Sequence, residues 1–254
     1  MSVSQAVRRL DLGWFVRPGA ETADGQLRVE PALAYLVACR GELLLFDTGI
    51  GAADPETEAH YRPYRRPLQE ALAAAGVAPA DIALVVNCHL HFDHIGGNPL
   101  FPGVPILAQA AETALVRGGG HAPEPLVGFP GARYEELAGE AEIRPGVWIV
   151  PTPGHTAGHQ SLVVERPDGT VILAGQTHAT ASDFAAARLA ATAVAEGAPP
   201  PLPVPDAWPA RLLEFDPRRV LFAHDASVWE PPGRPGPSER PEAAGSRSAG
   251  RPPA

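Results

Sequence analysis

The chain contains no lysine: all 20 of its basic residues are arginine. That excludes a Schiff-base lysine and a phosphate-binding P-loop, both of which depend on an ammonium group. Cysteine is scarce too, with two in 254 residues, too few for a disulfide scaffold or a four-thiolate zinc site. No apolar run approaches the roughly 18–20 residues that a membrane span requires. Residues 1–20 are broken by Arg8, Arg9, Asp11 and Arg17, so they carry no signal-peptide core. Net positive charge is also lacking. A formal charge of −9 offers no basic footprint for a polyanion. These absences point to a soluble, cytoplasmic protein with neither nucleic acid nor membrane as partner. Its substrate is expected to be small and neutral or weakly polar.

What the chain does have is histidine, nine of them. Any metal chemistry here is therefore imidazole and carboxylate chemistry. The length suits one large domain, expected over residues 1–230. Residues 231–254 are a Pro/Gly/Ser/Arg/Ala mixture that cannot bury enough surface to offset its ordering entropy, and read as a disordered tail. Strands are predicted over 27–38 and 42–46, joined by a turn at Arg40-Gly41, and then over 82–86, 105–108, 147–150, 162–165, 171–174 and 219–223. Helices are predicted over 68–75, stopped by Gly76, over an Ala-rich stretch capped by Ser182-Asp183 and ending near Glu196, and over 206–214. Residues 199–205 read as a stiff proline connector. Interleaved strands and helices imply a layered α/β fold.

The densest chemical signal is Asn87-Cys88-His89-Leu90-His91-Phe92-Asp93-His94-Ile95-Gly96-Gly97-Asn98, leaving the apolar strand 82–86. While the chain is extended, His89 and His91 share a side, and Asp93 and His94 come from the turn that follows. On the same reasoning Cys88 points away from His89 as a buried thiol. Imidazole plus carboxylate suits zinc or iron. Two distant segments repeat the theme at strand ends: Pro153-Gly154-His155-Thr156-Ala157-Gly158-His159 and Ala223-His224. Together the three segments make a two-metal site plausible.

The string His-x-His-x-Asp-His, the downstream Pro-Gly-His-Thr-x-Gly-His and the late Ala-His resemble the metallo-β-lactamase superfamily. Leu45-Phe46-Asp47-Thr48-Gly49 resembles its first motif. His-Leu-His-Phe-Asp-His-Ile-Gly-Gly-Asn followed by Phe101-Pro102-Gly103 is similar to the N-acyl homoserine lactonase branch. The resemblance implies a four-layer αββα sandwich with two Zn²⁺ at one edge. His89, His91 and His155 would hold one ion, and Asp93, His94 and His224 the other. A hydroxide held between the ions would attack an ester-type carbonyl, and Asp93 would pass a proton to the leaving oxygen. Asp47 and His159 would orient ligand imidazoles.

The pattern departs at two places. Gln176 stands where the superfamily usually has a bridging aspartate. An amide oxygen ligates without charge, so the second ion is expected to bind more weakly. His178, two residues on, is a candidate to contact substrate or supplement that ligand. Ala179 stands where the lactonase branch commonly places a tyrosine that contacts the substrate carbonyl. Pocket walls are expected from residues 51–66, where Tyr61, Arg62, Tyr64, Arg65 and Arg66 concentrate, from 117–134, and from the helix after Ser182. The reading that emerges is a lactone hydrolase. The alternatives are a glyoxalase II-like thioesterase and a metal-binding member without catalysis.

Overall fold

The computed structural model describes residues 6–22, 24–119, 121–197 and 209–232. Most of the tail, the connector 199–205 and the first residues of the helix expected at 206–214 lie outside them. Two sheets form. The larger contains β1 (Ala6–Arg17), β2 (Arg28–Cys39), β3 (Glu42–Phe46), β4 (Tyr64–Arg65), β5 (Ile82–Val86), β6 (Pro105–Gln109) and β7 (Arg133–Leu137), in the order β4-β1-β2-β3-β5-β6-β7. The smaller contains β8 (Ala141–Arg144), β9 (Val147–Pro151), β10 (Gln160–Val164), β11 (Thr170–Leu173), β12 (Pro217–Leu221) and β13 (Val228–Trp229), in the order β13-β12-β11-β10-β9-β8. Strands β3, β5, β6 and β7 run parallel, as do β11 and β12.

The layering follows from the two-residue period of a strand. Leu44, Phe46, Ile149, Leu162, Val164 and Leu173 face one another between the sheets. The alternate residues face outward under helices. Leu45 and Val85 meet Leu68 and Leu72 of α2 (Leu68–Ala74), numbered after α1 (Pro55–Tyr61). On the other side Val150, Val163 and Ile172 meet Ala181 and Phe184, which belong to the long helix Ala181–Ala195. This is the αββα sandwich. The sheets are tied where the Tyr35 hydroxyl donates to the Phe222 carbonyl at 2.7 Å and the Leu33 N–H to the Ala223 carbonyl at 2.9 Å.

Several expectations need correction. Residues 6–17 form a full strand, hidden in the sequence because the exposed Arg8, Arg9 and Asp11 break its apolar run. Also unpredicted are α3 (Ala110–Gly118), α4 (Glu124–Val127) and strands β7 and β8. The Ala-rich helix, α5, is capped by Thr180 rather than Ser182-Asp183: Thr180 Oγ1 accepts the Asp183 N–H at 3.0 Å, and Asp183 returns the bond in a capping box. The last helix, α6, covers Ala210–Leu213. The turn at Arg40-Gly41 is as expected, both residues lying at positive φ (50° and 91°), which matches the twist of a tight hairpin. Among the described residues no helix is long and apolar enough to cross a membrane.

Candidate metal centre

The loops that follow β3, β5, β9, β11 and β12 converge at one edge of the sandwich, because strand ends in both sheets deliver them there. His89 and His91 follow β5, His155 follows β9 and His224 follows β12. His89 Nε2 lies 2.9 Å from His91 Nδ1, which lies 3.1 Å from His155 Nε2. Beside this set, His94 Nε2 and His224 Nε2 are 3.1 Å apart, and Asp93 Oδ2 is 3.5 Å from the first and 3.3 Å from the second. Gln176 points its Oε1 toward the same place, 3.3 Å from His94 Nε2.

Electrostatics suit ligation. Burial, with neighbouring rings adding to it, pushes His89 well down and His155 down to about 2. Burial likewise brings His91 down to about 4. Neutral rings keep the lone pairs a cation needs. Burial opposes ionising Asp93, but His94 and His224 outweigh it and hold the carboxyl well below its usual range. His94 is held charged without a cation: Asp93 and Asp47 outweigh burial and raise it to about 9. Two nitrogens on a tetrahedral ion at about 2.0–2.1 Å lie roughly 3.3 Å apart. Both residue groups therefore fit a divalent cation in spacing and in donor type.

Supporting contacts fix the ligand rings. Asp47, at φ 61°, accepts His94 Nδ1–H at 3.0 Å with one oxygen and the Cys88 N–H at 2.8 Å with the other. His224 donates Nδ1–H to the Pro31 carbonyl at 2.9 Å. His159 lies beside His89, ring centroids 5.6 Å apart, with its Nε2 accepting the Gln176 N–H at 2.9 Å.

Two expectations fail here. Cys88 does not point away: its sulfur lies 3.2 Å from His89 Nδ1 and 3.3 Å from His94 Nδ1, because the chain stops being extended after Val86. Its thiol stays neutral, since burial raises it well above its ordinary value. His178 does not join either ligand set. Gly175 at φ 60° turns the chain after β11, and His178 packs edge-on against Phe184 with centroids 5.3 Å apart. Of the residues 51–66 expected to form pocket wall, Thr57 and Tyr61 do so, whereas Arg65 binds the Gly51 carbonyl and Glu58, and Arg66 binds Asp11.

A cavity of about 360 Å³ opens beside the two sets, lined by Phe15, Arg17, Tyr61, Phe92, His121 and Gln176 among others. Helix α5 contributes nothing to this lining, because its buried side is spent on the outer face of the smaller sheet. Sequence reasoning missed Phe15 and Arg17, which lie on the unpredicted β1, and His121. It also missed Glu112, a fully buried carboxylate that accepts from Leu90 N–H at 2.9 Å, Thr156 Oγ1–H at 2.7 Å and His121 Nε2 at 2.6 Å. Glu112 thus clamps the loop of His89 and His91 to the loop of His155. A histidine and a carboxylate spaced nine residues apart gave no motif to find.

The model of the metallo-beta-lactamase superfamily matches residues 27–226, most of the chain and every residue of both sets. The chain belongs to that superfamily. Among proteins similar to this superfamily member is an N-acyl homoserine lactonase from a Bacillus species, 31% identical over 175 residues, covering 63% of this chain and 69% of the relative. A Bacillus thuringiensis AiiA mutant, solved with N-decanoyl-L-homoserine at its active site, superposes with a TM-score of 0.71 at 24% identity, over 88% of this chain and 94% of that one. AidC, a dizinc quorum-quenching lactonase solved with a product, superposes at 0.59 with 16% identity, over 87% of each chain. These two likenesses establish the fold.

Proposed function

We propose that this superfamily hydrolase opens lactones, N-acyl homoserine lactones first among them, with two Zn²⁺ per chain. The observation that carries the reading is the meeting of two ligand sets, His89/His91/His155 and Asp93/His94/His224, at the mouth of a single cavity. Zinc held there supplies Lewis acidity and an activated water at neutral pH. Lactonase relatives, whose structures carry homoserine products, support the substrate class.

The chain's own residues do the rest. Phe15, Tyr61 and Phe92 give the cavity an aromatic wall that displaces water from around a bound ring. Asp93, buried and anionic between His94 and His224, is the acid–base group that carries a proton toward the leaving oxygen. Asp47 keeps His94 in one orientation, and Gln176 brings a neutral oxygen where a carboxylate would add charge. Gln176 makes the ion at Asp93/His94/His224 the more weakly held of the two. The reading also places the enzyme in the cytoplasm.

Acid release followed by pH-stat on lactones, thioesters and lactams, with and without chelator, tests this. Chelator-sensitive turnover of lactones alone is the expected result. Turnover of thioesters instead marks a glyoxalase II-like enzyme. Inertness toward every class with metal loaded marks a binding protein.

A further inference from the structure

A second cavity, of about 250 Å³, adjoins the first and shares Thr57, His91, Phe92 and His121 with it. Its remaining lining is Ala53, Asp54, Ala122 and Pro123. Its polar groups are already engaged: Thr57 Oγ1 donates to Asp54 Oδ2 at 2.7 Å, and Asp54 Oδ1 accepts the N–H groups of Glu56 and Thr57 that begin α1. An occupant of this side cavity meets Ala53, Ala122, the Pro123 ring and the Phe92 ring on one part of the wall, beside the Asp54 and Thr57 side chains, which are turned to each other. The main cavity is lined by His91, His155 and Asp93, so both ligand sets reach it, whereas the side cavity meets the sets only at His91. A ligand filling both has a reactive head and an apolar substituent, and its linker lies at the shared wall.

His121 belongs to that wall. Its ring sits 4.5 Å from the ring of His91, and its side chain is 13% exposed. Nε2 is taken by Glu112 at 2.6 Å, and Glu112 is itself held by the Leu90 N–H and the Thr156 hydroxyl. The ring is thus anchored at one nitrogen through a buried carboxylate. Nδ1 is the atom left for a ligand. With Nε2–H donating to Glu112, Nδ1 presents a lone pair, which accepts the N–H of an amide.

We propose that His121 is a specificity-determining residue that hydrogen-bonds the linking amide of an acylamino lactone, with the acyl chain in the side cavity. The proposal rests on the lactonase reading above and goes beyond it. It separates acylamino lactones from alkyl lactones of equal length that lack the amide.

The test compares kcat and KM of the zinc-loaded protein on an N-acyl homoserine lactone and on a γ-lactone with a plain alkyl chain. Three variants are used. His121→Phe keeps a ring and removes both nitrogens. His121→Asn keeps a polar atom at the Nδ1 position, and His121→Gln keeps one at the Nε2 position that meets Glu112. The amide-to-alkyl ratio of kcat/KM is expected to fall about tenfold in His121→Phe, through KM, the size of one lost hydrogen bond. His121→Asn is expected to restore the ratio and His121→Gln is not. An unchanged ratio in His121→Phe overturns the proposal. So does rescue by His121→Gln alone, which would mean that the side chain acts only through Glu112. Wild-type activity on both lactones with either of those outcomes removes His121 and leaves the lactonase reading standing. A wild-type protein inert toward both lactones overturns that reading and this proposal together. Zinc content and thermal melting of each variant separate misfolding from lost recognition.

Discussion

The backbone N–H of Gln176 donates to Nε2 of His159 across 2.9 Å, and that bond sets the ring's tautomer and the glutamine's place together. Nε2 can accept only if the proton sits on Nδ1, which faces the Thr152 carbonyl at 3.0 Å. Both ring nitrogens are thereby used, and burial lowers the ring to about 3, so it stays neutral. The ring thereby holds the backbone of Gln176 in place.

Replacing His159 by Phe leaves the Gln176 N–H and the Thr152 carbonyl buried without their partner. Each unpaired group costs about 1–3 kcal/mol. Urea unfolding is expected to show a loss of that order, with weaker metal retention because Gln176 is no longer held. Unchanged stability and unchanged metal content would show that the bond matters little.

Gln176→Asp places a negative charge on the side of the centre where Gln176 Oε1 now lies 3.3 Å from His94 Nε2, close to Asp93 and His224. Two divalent ions repel, and an added carboxylate offsets that repulsion. Retention of the second ion after exhaustive dialysis is expected to improve about tenfold or more, read by metal analysis of the dialysed protein. Wild-type protein that already keeps two ions, with no change in the variant, speaks against a weakened second site.

Asp47 reaches two groups at once, the His94 ring and the Cys88 N–H. Asn at this position tolerates the positive φ but lacks the charge that holds His94. Asp47→Asn is expected to cost about 10- to 100-fold in metal affinity or turnover, the usual size for a partner behind a ligating histidine. Competition with a chromophoric chelator measures it; a change under twofold would assign Asp47 a purely structural role.

The ligand residues were legible because each stands directly after a strand whose apolar run is itself readable, as with Ile82–Val86 before His89. Where the chain leaves regular geometry, legibility ends. Alternation along an imagined strand misplaced Cys88 and His178, and in both cases the backbone turns within two residues of the strand end. Strand β1 stayed hidden because a half-exposed strand with Arg8, Arg9 and Asp11 has no apolar run. Glu112 and His121 were invisible for a different reason: a buried carboxylate on an alanine-rich helix acquires its meaning only when two loops fold onto it. The layered fold, by contrast, was implied by interleaved strands and helices and sharpened by the family resemblance.

Close approach explains one of the paired glycines after His94. A Cβ on Gly96 would lie 2.2 Å from the backbone of Ile50 and Gly51, where the strand-end loop of Asp47 packs on the ligand loop. Gly96→Ala is expected to destabilise by at least about 2 kcal/mol, because backbone rather than a pliable side chain must move. Gly118→Ala, at the end of α3 with nothing within 4 Å of the added atom, serves as the control. It is expected to be neutral or to gain up to about 1 kcal/mol from helix propensity. Melting curves of the two variants decide whether the contact or glycine content alone is responsible.

The stability of the chelator-treated protein carries a pH signature with a definite sign. Unfolded histidines take up a proton near 6.5, whereas folded His91 does so only near 4 and His159 near 3, with His89 also displaced well downward. Between those values the unfolded chain binds more protons than the folded one, so acid favours unfolding. His94 runs the other way. Held at about 9 by Asp93 and Asp47 against burial, it contributes fully below 6.5 and loses that contribution as pH rises through 9. Lowered rings outnumber the raised one, so the urea midpoint of the metal-free protein is expected to fall steadily as pH drops from about 7 to about 5. A separate decline is expected as pH rises from about 6.5 to about 9, where folded His94 still holds the proton that the unfolded chain has given up. Midpoints that rise on acidification would mean that these rings are not held neutral, and the account of the His89 and His91 lone pairs as metal ligands would fall with them.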